Sequence, residues 1–226
     1  MNLFEKIVAT YINPLKSLPS SKTLDRSGIV KSDHPKIGNG WIKGWVVDIQ
    51  PKNIIIVCKH AIPSTSPPNN KVYVIDADGV KHTRTITAIN KESFLLNGKT
   101  VPREYYNGGD IAICKVDEPF SDKVCGYKIC TNPKVYGRRA LTLDQDGNDS
   151  IAQVRYEEDF AYIRGRKRWS NQLVGGDSGM PWFIYEKNEW RVLTHTFRGA
   201  YGEGPWYGHK YIYGELNRRI DDLQKA

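Results

Sequence analysis

Three residues of this 226-residue chain have side chains that could act together as a nucleophile and its activators. Ser178 lies in the stretch NQLVGGDSGMPWF, residues 171 to 183. A serine hydroxyl is a poor nucleophile at neutral pH; it needs an imidazole to take its proton and a carboxylate to orient that imidazole. Gly176-Asp177-Ser178-Gly179 alone is also an ordinary set of turn residues. The partners therefore decide between a turn and a reactive centre. Of five histidines, His60 stands out: it follows the apolar run Ile54–Cys58 in the string IIIVCKHAIP. Asp110 has a similar address, between a glycine turn and an apolar run in NGGDIAICKV. The gaps from His60 to Asp110 and from Asp110 to Ser178 are 50 and 68 residues.

Side chains so far apart meet only if a fold carries them together, and the pattern between them is that of short strands. From residue 28 to about 213, β-favouring runs alternate with Gly, Pro and Asn/Asp turns: Gly28–Val30, Trp41–Asp48, Ile54–Cys58, Lys71–Asp76, Thr83–Ile89, Ile111–Val116, Lys134–Leu143, Ser150–Tyr156, Ala161–Ile163, Met180–Tyr185, Trp190–Phe197 and Lys210–Tyr213. No long helical period separates them, which argues against a parallel α/β fold. Residues 1 to about 18 have a helical rhythm, with Pro14 ending or kinking it, and 19 to 27 read as a linker. The polar stretch 117 to 133 joins two halves, and in 214 to 226 Leu216, Ile220 and Leu223 form the stripe of a terminal helix.

The strings IVCKHAI, GGDIAI and GGDSGMP, in this order, make residues 28 to 224 resemble the trypsin/chymotrypsin-like serine proteases. The resemblance implies an all-β fold of two six-stranded antiparallel barrels with the site between them. The expected organisation is a helical extension and linker at 1–27, a barrel at 28–120, a connection at 121–133, a second barrel at 134–213 and a helix at 214–226. It also implies a serine endopeptidase working through an acyl-enzyme in limited or processing proteolysis. His60 is then the general base, Asp110 its orienting carboxylate and Ser178 the nucleophile, with the Gly176 and Ser178 amides as the oxyanion hole. Met180 stands where glycine is common in the family. Arg26-Ser27-Gly28-Ile29-Val30 looks like an activation site, yet cleavage after Arg26 leaves Ser27 first. An internal partner for Asp177 is therefore expected.

By the same resemblance, Gln172 and Leu173 form one wall of the substrate pocket, and His195, Thr196, Phe197 and Arg198 the other. Gln172 removes the carboxylate that trypsin places at its pocket base. The string around His195 resembles that of glutamyl endopeptidases and viral chymotrypsin-like proteases, where a histidine faces a Glu or Gln side chain at P1. An imidazole can donate to either.

The formal charge is +8, with 39% hydrophobic and 26% charged residues, which excludes a disordered chain. No run approaches the roughly 18 apolar residues of a membrane span. The N-terminal stretch is a poor signal peptide, so an intracellular or virion-associated location is expected. Cys58 and Cys114 lie in strand-like runs, as buried free thiols do, and the Cys125 and Cys130 spacing is no metal signature. No cofactor or metal is expected. The expected partner is a polypeptide substrate, with weak nucleic-acid or anionic-surface contact through Arg164, Arg166, Lys167 and Arg168. Two other readings stay open: a protease fold without activity, serving as a binding or structural module, and a basic nucleic-acid-binding barrel.

Overall fold

The computed structural model describes residues 18–32, 42–62, 71–96, 99–100, 109–144, 146–157, 162–167, 176–197 and 203–226. The expected N-terminal helix, residues 1 to 17, lies outside them. The first half forms a closed barrel in the order β1 (Ile29–Ser32), β2 (Lys43–Val46), β3 (Ile54–Cys58), β8 (Ile111–Val116), β5 (Lys81–Asn90) and β4 (Lys71–Ile75), with a two-residue hairpin of β6 (Leu95–Leu96) and β7 (Lys99–Thr100) beside it.

All five residues of β3 are buried, and the period of two explains why this strand is apolar throughout. Ile55 and Val57 pack inside the barrel with Val30, Val46, Val72 and Cys114. Ile54 and Ile56 point the other way, into a core shared with Trp45, Leu141, Phe183 and Leu216. Each such buried aliphatic side chain stabilises the fold by about 1.5–3 kcal/mol, so neither face of β3 can turn to solvent.

The second half is a sheet in the order β13 (Glu189–His195), β12 (Pro181–Glu186), β9 (Arg139–Leu143), β10 (Asp149–Glu157), β11 (Tyr162–Lys167) and β14 (Gly204–Pro205). This sheet is open, which corrects the expectation of two closed six-stranded barrels. Its outer strands meet through two backbone bonds, Phe197 N–H to the Glu203 carbonyl at 2.9 Å and Tyr207 N–H to the Leu193 carbonyl at 3.3 Å, without forming a ladder. The reason lies in β14: it is two residues long, and Pro205 has no N–H to donate. The β12–β13 hairpin turns on Lys187 and Asn188, both at positive φ, as a two-residue turn requires.

A single α-helix is present among the described residues, α1 (Lys210–Lys225). It begins four residues before the expected start, so Lys210–Tyr213, read as a strand, is its first turn. The signal is His209, whose ring accepts from the Tyr211 amide and caps the helix. Ile212, Leu216 and Ile220, four apart, are buried, and Arg219 fixes the helix to the first barrel by donating to the Glu92 and Ser93 carbonyls over the Phe94 ring. Strand β9 starts later than expected because Gly137, at φ 77°, turns the chain before it. No helix among the described residues is long and apolar enough to cross a membrane.

Candidate functional site

The site grows out of one strand pair. Strands β3 and β8 run antiparallel with Cys58 opposite Ile111, so the exit of one adjoins the entry of the other. After Cys58 the chain enters a single 3-10 turn, Lys59–Ala61, which lifts His60 over the strand end. Before Ile111, Gly109 and Asp110 are both at positive φ, 91° and 58°, and this folds the Asp110 carboxylate back over that turn. The positive φ is uncommon for a side-chain-bearing residue, though Asp tolerates it better than most. The Lys59 amide donates to the Asp110 carbonyl at 2.9 Å and closes the corner.

Three side chains converge there. Asp110 Oδ1 accepts from the His60 amide at 2.8 Å, and Oδ2 lies 2.6 Å from His60 Nδ1. The same Oδ2 accepts from the Cys58 thiol at 2.8 Å, and that sulfur is 3.3 Å from His60 Nδ1. Cys58 and Asp110 are buried, while the His60 side chain is 40% exposed. The charges follow from this geometry. Burial pushes the Cys58 thiol well up, and the neighbouring Asp110 charge adds to it. The bond to Asp110 raises His60 against the opposing effect of burial. For Asp110, burial is the largest influence and acts upward, but His60, the His195 charge and the Cys58 hydrogen bond together hold it below its ordinary value.

The described residues therefore assemble Cys58, His60 and Asp110, one sulfur, one nitrogen and one oxygen donor within 4.8 Å of one another. They do not assemble a His-Asp-Ser triad. Ser178 is half-buried in the turn before β12, whereas the His60 ring lies against Asp110 and Cys58. This overturns the expectation of a serine endopeptidase with a double barrel and a Ser-His-Asp centre. The pairing of His60 with Asp110 was visible in the sequence. The part of Cys58 was not, because a thiol closing an apolar strand reads as core. The one available signal was its position two residues before His60.

Gly176 has φ 107° and Gly179 φ 90°, conformations that favour glycine, and a Cβ on Gly179 would stand 2.1 Å from the Lys43 carbonyl oxygen. Asp177 is fully buried, and its carbonyl accepts from the Met180 amide. Lys43, also buried, donates its ammonium to the Gly176 carbonyl. Burial lowers the Lys43 pKa to about 8, with the Asp177 charge acting against that.

His195 ends β13, completely enclosed, with Nδ1 against the Tyr207 hydroxyl; among the described residues its Nε2 has no hydrogen-bond partner. Burial lowers its pKa to about 4. Thr196 accepts from the Trp182 indole at 2.8 Å, and Phe197 packs on Cys58 and Ala61. Gln172, Leu173, Arg198 and Arg168 lie outside the described residues. Arg164, Arg166 and Lys167 belong to β11, with Arg164 opposite Arg155 of β10.

No family model matches the sequence, and no curated protein matches it. Among solved structures, the chain is similar to kallikrein-related peptidase 10 in complex with Zn2+, with a TM-score of 0.58 and 11% identity, over 89% of this chain and 96% of that one. At that identity the likeness is one of fold alone, a chymotrypsin-like fold.

Proposed function

We propose that this chain is a binding module on a chymotrypsin-like fold, in which Cys58, His60 and Asp110 hold a thiophilic divalent cation, zinc being the best match. The observation that carries this is the donor set: sulfur, nitrogen and carboxylate oxygen from one rigid strand pair, 2.6 to 3.3 Å apart. Zinc takes this mixture of ligands at about 2.0–2.3 Å, which sets neighbouring donors about 3.3–3.7 Å apart in a tetrahedron. The hydrogen-bonded cluster thus opens by less than about 1 Å on loading. The cation takes the place of the thiol proton now shared with Asp110, so binding releases a proton. Three protein ligands leave a fourth position, on the exposed side of His60.

On that side the Gly176 and Ser178 amides and Phe197, which packs on Cys58, are the described groups that would receive a polypeptide segment. Kallikrein-related peptidase 10 is itself a complex with Zn2+, but a likeness of fold does not transfer a site, and the reading rests on the cluster.

Cobalt titration tests it. One equivalent of Co2+ should give thiolate-to-metal absorption and tetrahedral d–d bands in the wild type. Both should vanish in Cys58→Ala and in Asp110→Asn, and zinc should displace the cobalt. Stoichiometric bands that persist in Cys58→Ala, or no binding by a folded wild type, overturn the proposal.

A further inference from the structure

A second site stands apart from the metal cluster. A cavity of about 310 Å³ lies between the β1–β4 wall of the closed barrel and the β9–β10 turn of the open sheet. Its apolar surface comes from Ile29, Leu143 and Met180, all buried, and from Ile75, which is 49% exposed, one of few large apolar side chains so placed among the described residues. The volume is at the lower end of small-ligand pockets, about 300–1,000 Å³.

The charges at its mouth are unequal in what they are free to do. Arg26 is committed to Asp149 and the Gly147 carbonyl. Asp76 is committed to His82 and to the Asp78 and Val80 amides. Asp25 gives one oxygen to the Ser27 amide. Among the described residues the Lys31 ammonium makes no hydrogen bond or ion pair, and Lys81 adds positive charge by lying 4.1 Å over the Tyr73 ring that forms the adjoining wall.

From the apolar floor and the Lys31 ammonium, uncommitted among the described residues, we infer that this cavity binds a small free amphiphile: an apolar body, aromatic or short-chain, bearing one carboxylate or sulfonate. The body fills the space over Met180 and the anion meets Lys31. The site is independent of the zinc reading, since it shares no residue with the cluster. Met180 connects it to the loop of Ser178, because its amide is held by the Asp177 carbonyl and its own carbonyl accepts from the Thr196 amide.

The probe is 1-anilinonaphthalene-8-sulfonate, which carries both parts, with octanoate as competitor. The expected result is saturable one-to-one fluorescence enhancement, displaced by octanoate. Lys31→Glu and Ile75→Asp should each weaken it about tenfold or more, the equivalent of about 1.4 kcal/mol, and Asp25→Asn should tighten it. Both weakening variants are on partly exposed side chains and should keep the wild-type melting temperature. Absence of saturable binding, or equal affinity in the wild type and Lys31→Glu, overturns the inference. So does uptake of the probe only in the presence of phospholipid vesicles, which makes the face a membrane contact.

Discussion

The two halves of the molecule treat their polar residues differently. In the closed barrel, His60 and Asp110 are delivered by adjacent strand ends in fixed register, and every bond between them is short and buried on at least one side. In the open sheet, Ser178 sits on a turn, His195 is sealed in the interior, and β14 is too short to pair along its neighbour. A ladder sets the position of the residue just beyond its last pair; a turn between sheets depends on whatever packs against it. Chemistry-bearing residues are therefore held most firmly where the chain closes on itself.

The comparison is tested hardest by removing one residue from each half. Asp110→Ala leaves the His60 amide without its acceptor and the Cys58 thiol with only the His60 ring at 3.3 Å and the Thr196 carbonyl at 3.9 Å, and puts a β-carbon with no local hydrogen bond at positive φ. A loss of about 4 kcal/mol in urea unfolding is expected. Ser178→Ala should stay within about 0.5 kcal/mol of wild type, because its hydroxyl makes no bond among the described residues. Similar losses in the two variants would erase the distinction.

How far the sequence disclosed this follows the same division. Ile54–Cys58 and Ile111–Val116 are strands as expected, because a continuous apolar run bounded by polar residues has few other uses. His60 and Asp110 were therefore legible at their ends. The openness of the second sheet was not, since closure depends on whether residues 193–197 and 203–207 pair in a ladder, and no local pattern states that. The helix start was misplaced because Lys210–Tyr213 has β-favouring side chains, while the His209 cap is a less common one. Cys58 was hidden by its own burial: composition treats a thiol as apolar, and only the fold puts it against a carboxylate.

The second test sets acid response against burial. His195 stays neutral in the native state down to about pH 4, whereas an unfolded imidazole takes up its proton near pH 6.5. Between these values the unfolded chain binds more protons, so stability is complete above pH 6.5 and is lost as pH falls toward 4, by about 3 kcal/mol. His195→Gln retains a polar group for Tyr207 and lacks the titration. Its stability should fall less steeply over that window in urea unfolding at successive pH values. An unchanged slope would mean that the open sheet admits water to His195, and that its interior is not sealed as the barrel's is.

The smallest expected effect lies at the joint between the halves, where Lys43 of the barrel reaches the Gly176 carbonyl of the open sheet's loop. The native pKa of Lys43 is lowered to about 8 by burial, while an unfolded lysine titrates near 10.5. The buried charge is a cost carried in full below pH 8. It is relieved as the native state releases its proton, so stability should rise with pH between about 8 and 10.5. The gain is at most about 1–2 kcal/mol, since solvent screens part of the ammonium charge. Lys43→Met should remove this alkaline rise. It should also loosen the 176–180 loop, read as faster amide exchange at Met180, whose donor bond ends on Asp177. The exchange of Ile56, inside the barrel ladder, should not change. If Ile56 and Met180 accelerate together, the halves open as one unit, and the firmness assigned to the closed barrel belongs to the whole molecule.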